Sequence, residues 1–231
     1  MMAPRPLSGP RLPPARGEAT HLVVLCHGYG ADGNDLIGLA PHWQRMLPTV
    51  AFAAPDAPEP CAGAPMGRQW FPISRLDPQE MARGVAGAAA SLNAFLDSEL
   101  ARLELSGDRL ALVGFSQGTM MSLAVGLSRA VAPACIVGFS GMLAGPPPKL
   151  GPDAPPILMI HGDADPMIPV GAMFDAASQL GRAGANVQWH VAPGVGHSID
   201  EAGLALGGLH LTMAFRGLLK RHGAEISCAL G

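Results

Sequence analysis

Apolar residues along this chain come in short unbroken runs, each closed by glycine, proline, phenylalanine or serine: HLVVLCHG, TVAFAAP, RLALVGF, PACIVGFS, PPILMIHG and NVQWHVAP. A run without polar alternation predicts a strand covered on both faces. Between the runs the spacing changes to that of helices. The longest such stretch opens with Asp77, Pro78 and Glu80, the signature of an N-cap, a first-turn proline and a capping-box acid. From there Met81, Val85, Ala88, Leu92, Phe95, Leu100 and Leu103 form one apolar stripe. Similar spacing predicts helices over about 117–130, 171–183 and 202–221. Strands and helices in alternation predict an α/β fold, a mostly parallel central sheet with helices on both faces.

Ligands of such a sheet bind beyond the carboxyl ends of the strands, so chemistry is sought just after each apolar run. Gly114-Phe115-Ser116-Gln117-Gly118 follows RLALV and precedes a helical stretch. This G-x-S-x-G sits in the strand, turn, helix context that gives it meaning: the turn is tight enough to demand glycine on both sides, and it holds the serine hydroxyl out over the sheet. A nucleophilic serine needs a base and a group to orient that base. Asp165 follows PPILMIHG in His161-Gly162-Asp163-Ala164-Asp165-Pro166, and His197 ends Gly194-Val195-Gly196-His197 after NVQWHVAP. The order serine, acid, histidine makes Ser116, Asp165 and His197 the candidate triad. Asp163 competes as the acid; the proline after Asp165 favours a loop folding back to the sheet. Ser140 competes as the nucleophile, because Val137-Gly138-Phe139-Ser140 echoes Val113-Gly114-Phe115-Ser116, but Met142 stands where the second small residue belongs.

The first run ends in His27-Gly28-Tyr29-Gly30. Glycines there let the Tyr29 N–H meet the Gln117 N–H across a carbonyl oxygen as an oxyanion hole. Gly28-Tyr29-Gly30-Ala31-Asp32-Gly33 also spells G-x-G-x-x-G, with Asp56 placed like a ribose-binding acid, which is the NAD-type alternative. That alternative leaves the motifs at the three later strand ends unexplained. A metal reading of His161, Asp163, Asp165 and His197 requires His161 to turn toward Asp165, whereas the end of an apolar strand predicts that it faces away or into the core. In the loop carrying Met66-Gly67-Arg68-Gln69-Trp70-Phe71, Trp70 and Phe71 either line an acyl pocket or anchor the loop. Met142 and Met167 complete the candidate substrate-binding set.

Composition narrows the class. The chain has 231 residues, 48% hydrophobic and 14% charged, with formal net charge -3. An average soluble domain carries about 25% charged residues, so a solvated, disordered chain is excluded. No basic surface exists to bind nucleic acid. Cys26, Cys61, Cys135 and Cys228 lack metal or disulfide spacing and read as small core hydrophobes. The first 19 residues, rich in proline and arginine, read as a flexible segment rather than a signal peptide. No run approaches the roughly 20 apolar residues of a membrane span. The expectation is one domain over 20–222 with a tail at 223–231, placed in the cytoplasm.

With these motifs assembled, the chain resembles the carboxylesterase and phospholipase family that includes the acyl-protein thioesterases, within the α/β-hydrolase fold. The matching pieces are LCHGYGADGNDL, RQWF, LVGFSQG, GFSGML, MIHGDADPMIP and GVGHSI. The resemblance implies Ser116, Asp165 and His197 as triad, Tyr29 and Gln117 as backbone donors, and no large cap domain. It also implies hydrolysis of carboxylic esters or thioesters with modest acyl chains; a non-catalytic ligand-binding module on a hydrolase fold is the other alternative, and no cofactor or metal is expected. A small ester or acyl molecule is the expected partner, and a second copy of the chain is a candidate one. Tyr29 departs from the pattern, since many relatives carry leucine there.

Overall fold

The computed structural model describes residues 4–74 and 77–221. Cys228, His222 and the tail at 223–231 lie outside the described residues. The strands are β1 (Arg11–Leu12), β2 (His21–Cys26), β3 (Val50–Ala53), β4 (Glu59–Cys61), β5 (Ala64–Gln69), β6 (Leu110–Phe115), β7 (Cys135–Phe139), β8 (Ile157–Gly162) and β9 (Val187–Ala192). The helices are α1 (Gly33–Ile37), α2 (Ala40–Gln44), α3 (Pro78–Arg102), α4 (Gln117–Gly126), α5 (Gly171–Arg182) and α6 (Glu201–Phe215). Seven strands form the main sheet in the order β1-β3-β2-β6-β7-β8-β9, parallel except for β1, while β4 and β5 form a separate antiparallel hairpin.

The unbroken apolar runs become strands because both faces are covered. Leu22, Val24 and Cys26 of β2 pack with residues of α3 and α4, while Val23 and Leu25 between them pack with Trp43 of α2 and Leu211 of α6. Side chains of a strand alternate in direction, so only a run apolar at every position fills two such cores. β9 departs from this reading. It is the sheet's edge, and its Trp189 is 55% exposed, meeting Phe174 of α5 edge-on at 5.2 Å. In α3 the Asp77 carboxylate accepts from the Gln79 and Glu80 N–H groups as expected, but Glu80 reaches out to Ser74.

The first 19 residues depart further from expectation. Residues 4–16 are not free but run along the sheet and α3. β1 pairs antiparallel with β3, Ala54 N–H donates to Pro10 O, Asp56 N–H to Ser8 O and Arg16 N–H to Pro48 O. Arg11 forms an ion pair at 2.6 Å with Glu99 of α3, whose buried carboxylate also holds Arg102 at 2.7 Å. The extended backbone of a proline-rich stretch suits a sheet edge. Arg11 makes good a carboxylate that burial alone would disfavour.

The loop after β3 contains the hairpin β4–β5, whose Arg68 exchanges hydrogen bonds with the stretch after β2: Gly30 N–H to Arg68 O at 2.9 Å and Arg68 N–H to Ala31 O at 2.8 Å. A Cβ on Gly67 would stand 2.1 Å from Gly30 O, so this approach requires glycine.

Candidate active site

Ser116 stands between β6 and α4 with φ 53° and ψ −115°, a conformation costly for any residue with a side chain. Its neighbours explain how the turn is held. A Cβ on Gly114 would come within 2.4 Å of the Gly118 backbone, and one on Gly118 within 1.8 Å of Cys26 O. The Ser116 N–H donates to Phe139 O, and Thr119 Oγ1 lies within hydrogen-bonding distance of the Gly114 and Phe139 carbonyls. The serine is half-buried at the N-terminus of α4, where the first N–H groups have no partner within the helix.

The acid and the histidine meet. Asp165 Oδ2 lies 2.7 Å from His197 Nδ1, and Oδ1 accepts from the Met167 and Ile168 N–H groups. Burial pushes the Asp165 pKa up, but the hydrogen bonds from His197, Ile168 and Met167 outweigh it and hold the carboxyl below its ordinary value. An ionised carboxylate against Nδ1 fixes the tautomer with the proton on Nδ1 and leaves Nε2 as the lone-pair nitrogen. The His197 ring packs 5.0 Å from the ring of Phe115, the residue before Ser116. Asp163 plays a different part, accepting from Gly194 N–H at 2.6 Å and so bracing the loop that carries His197. Ser140 is buried and its hydroxyl turns to Ser198 O at 3.4 Å.

Across from the serine, a Cβ on Gly28 would stand 3.4 Å from Ser116 Cβ. The backbone after β2 therefore lies against the serine. The Gln117 side chain, fully buried, accepts from Trp70 N–H and donates to Phe71 O, clamping the segment after β5 to the turn. The arrangement offers a half-buried serine at a helix start, an oriented imidazole and backbone from two strand ends, the components of acyl transfer.

The sequence profile of the phospholipase/carboxylesterase family matches residues 9–212. The chain belongs to that family. It is an esterase-class hydrolase on an α/β-hydrolase fold, with no large cap. It is 30% identical over 203 residues to acyl-protein thioesterase 1 of Gibberella zeae, an alignment spanning 80% of this chain and 86% of that protein. Esterase YpfH of Escherichia coli is 28% identical, with 84% of this chain and 82% of that protein covered. The crystal structure of esterase PE8 superposes with TM-score 0.83 at 38% identity, covering 93% of this chain and all of that one.

In this esterase Trp70 and Phe71 border a cavity shared with Arg5, Arg83 and Ser91, whose lining does not include Ser116. They are 1% and 3% exposed in the core against α3, and the Trp70 indole N–H donates to His27 O. A large ring between the hairpin and α3 secures the loop through packing, as the anchor reading expects. Met142 is half-buried and Met167 is 63% exposed. His161 enters the core, as one arm of the expectation has it, but does not face away from the acid: its Nε2 lies 2.8 Å from Ile168 O and 3.2 Å from Asp165 Oδ2. Among the described residues no group of three or more His, Cys, Asp or Glu is placed to hold a metal ion. Asp56 accepts from Gly33 N–H, and Asp32 caps α1, which accounts for both acids of the G-x-G-x-x-G stretch as local supports. The Cys26 thiol is pushed up to about 12 by burial, which removes it as a nucleophile. His27 escaped the sequence reading, although a histidine between an apolar strand and a glycine was its signal.

Proposed function

We propose that the esterase works in two steps through an acyl-enzyme on Ser116. Ser116 Oγ attacks the acyl carbon while His197 Nε2 takes its proton, and Asp165 holds the imidazole. The carbonyl electrons move onto oxygen, which rests on the N–H groups of Tyr29 and Gln117. As the tetrahedral intermediate collapses, His197 returns the proton to the leaving alcohol or thiol. Water then attacks the acyl group by the same route and releases the acid. The observation carrying this reading is the Asp165–His197 hydrogen bond of 2.7 Å, with the carboxylate fixed by two backbone N–H groups.

The substrates are small carboxylic esters and thioesters with modest acyl chains. Relatives named acyl-protein thioesterase 1 and esterase support that range, and Met142 and Met167 near the strand ends supply apolar surface. The net charge of -3 supports a partner other than nucleic acid. Among the described residues no helix is long and apolar enough to cross a membrane, and we place the enzyme in the cytoplasm. Exposed Tyr29, Met66 and Met167 support a homodimer, which sedimentation velocity tests.

A fluorophosphonate probe followed by intact-mass and peptide mapping tests the nucleophile, alongside hydrolysis of p-nitrophenyl esters of graded length. One adduct on Ser116 with turnover is the expected result. Folded protein with neither adduct nor turnover overturns it.

A further inference from the structure

We propose that His27 is a positioning residue for the oxyanion site: its ring latches the Gly28 carbonyl and so aims the Tyr29 N–H away from the ring, at the acyl oxygen. The inference rests on the role given above to the Tyr29 N–H. His27 directly follows β2 and is wholly buried. Its Nδ1 lies 2.7 Å from Gly28 O. A carbonyl only accepts, so Nδ1 carries the proton. Its Nε2 accepts from Ala57 N–H at 2.9 Å. Both ring nitrogens are therefore committed in one neutral tautomer, because a proton on Nε2 would face the Ala57 N–H. Burial, the largest influence on this ring, also lowers its pKa.

The latch acts through the peptide plane. Gly28 C=O and Tyr29 N–H belong to one trans peptide, in which the two groups point in opposite directions. With the carbonyl drawn to the His27 ring, the N–H is directed to the other side, and it has no acceptor among the described residues. The same residue is tied to the second donor. The His27 carbonyl accepts from the Trp70 indole at 3.0 Å, and the Gln117 side chain holds the Trp70 and Phe71 backbone. One buried network thus sets the spacing of both N–H donors. An off-target donor forfeits transition-state stabilisation with little effect on ground-state binding.

Two full-length variants separate latch from packing. His27→Asn places an amide nitrogen near the Nδ1 position and keeps the Gly28 latch; His27→Gln reaches Ala57 but has no donor for Gly28. His27→Gln is expected to lower kcat about a hundredfold with KM nearly unchanged, and to weaken a trifluoromethyl ketone, which binds as an oxyanion adduct, by a similar factor. His27→Asn is expected to lose less than about tenfold in each. Equal losses in both variants, or a fall in kcat with ketone affinity intact, overturn the proposal. Should the variants not fold, nitrogen-15 spectra of wild-type histidine side chains decide: an Nδ1-protonated His27 is expected, and an Nε2-protonated one overturns it. Ser116→Ala separates the two levels. An active Ser116→Ala enzyme removes the underlying reading and this one together, whereas an inactive one beside a silent His27→Gln overturns the latch alone.

Discussion

Two neighbouring parallel strands, β6 and β7, end in the same four residues, Val-Gly-Phe-Ser, paired in register from Val113 with Val137 to Phe115 with Phe139. Both phrases close on a serine at positive φ, 53° at Ser116 and 45° at Ser140. Each serine also donates its N–H to a carbonyl of the next strand, Phe139 and Ile160 respectively. The chain beyond each serine differs. Gln117 and Gly118 begin a helix, and Gly118 lets that helix press on the end of β2. After Ser140 no helix begins, and the hydroxyl is buried toward Ser198 O. Strain at the serine is therefore common to both strand ends. What sets Ser116 apart is the helix start beyond it and the end of β2 on its other side.

The largest test of this contrast is to remove each hydroxyl. Ser116→Ala is expected to cost at least about ten-thousandfold in kcat and to abolish probe labelling, while Ser140→Ala keeps the label and loses less than about tenfold. A label that persists in Ser116→Ala and vanishes in Ser140→Ala would reverse the assignment. The two acids form the next pair. Asp165→Asn is expected to cost about a thousandfold in kcat, since it disturbs the imidazole tautomer, and Asp163→Asn about tenfold through the His197 loop; ester hydrolysis measures both, and equal losses would erase the distinction.

Smaller effects concern stability. Gly118→Ala sets a methyl group against the Cys26 carbonyl and is expected to cost about 3 kcal/mol in urea denaturation. Gly194→Ala, at φ +71° with open space around it, is expected to cost about 1 kcal/mol. The gentlest test is pH. The folded-state pKa of Asp165 is depressed, so its ionised form contributes stability above the ordinary carboxylate value, and that contribution is lost as pH falls through the depressed one. The stability deficit of Asp165→Asn should be largest near neutral pH and shrink in acid. A deficit independent of pH would mean that the charge is not what Asp165 supplies to the fold.

Six strands of the main sheet and the four longest helices were legible, the strands as unbroken apolar runs and the helices as a period. The meeting of Asp165 with His197 was legible because each follows a strand in a glycine-marked motif. The features that escaped depend on distant partners. The β4–β5 hairpin has polar, glycine and proline residues and takes its place from the exchange between Arg68 and the Gly30–Ala31 backbone. β1 is two residues long and owes its order to β3 and Glu99. Trp70 is ambiguous locally, because a large ring in a loop serves a ligand or a core equally well; its core part shows only in its contacts with α3 and His27 O. His161 was half legible: its burial follows from the apolar strand, but its approach to Asp165 depends on the loop beyond, here Ile168 O.

The pinned amino-terminal stretch also bears on assembly. The β1 border of the main sheet is a two-residue strand flanked by Pro10 and Pro13, which offer no backbone donor to an incoming strand, whereas the β9 border is longer and open. Among the described residues strand addition has one end to work on. A copy joined there β9 to β9 leaves no second border to extend, so growth by this route stops at a pair and cannot run on into a fibre.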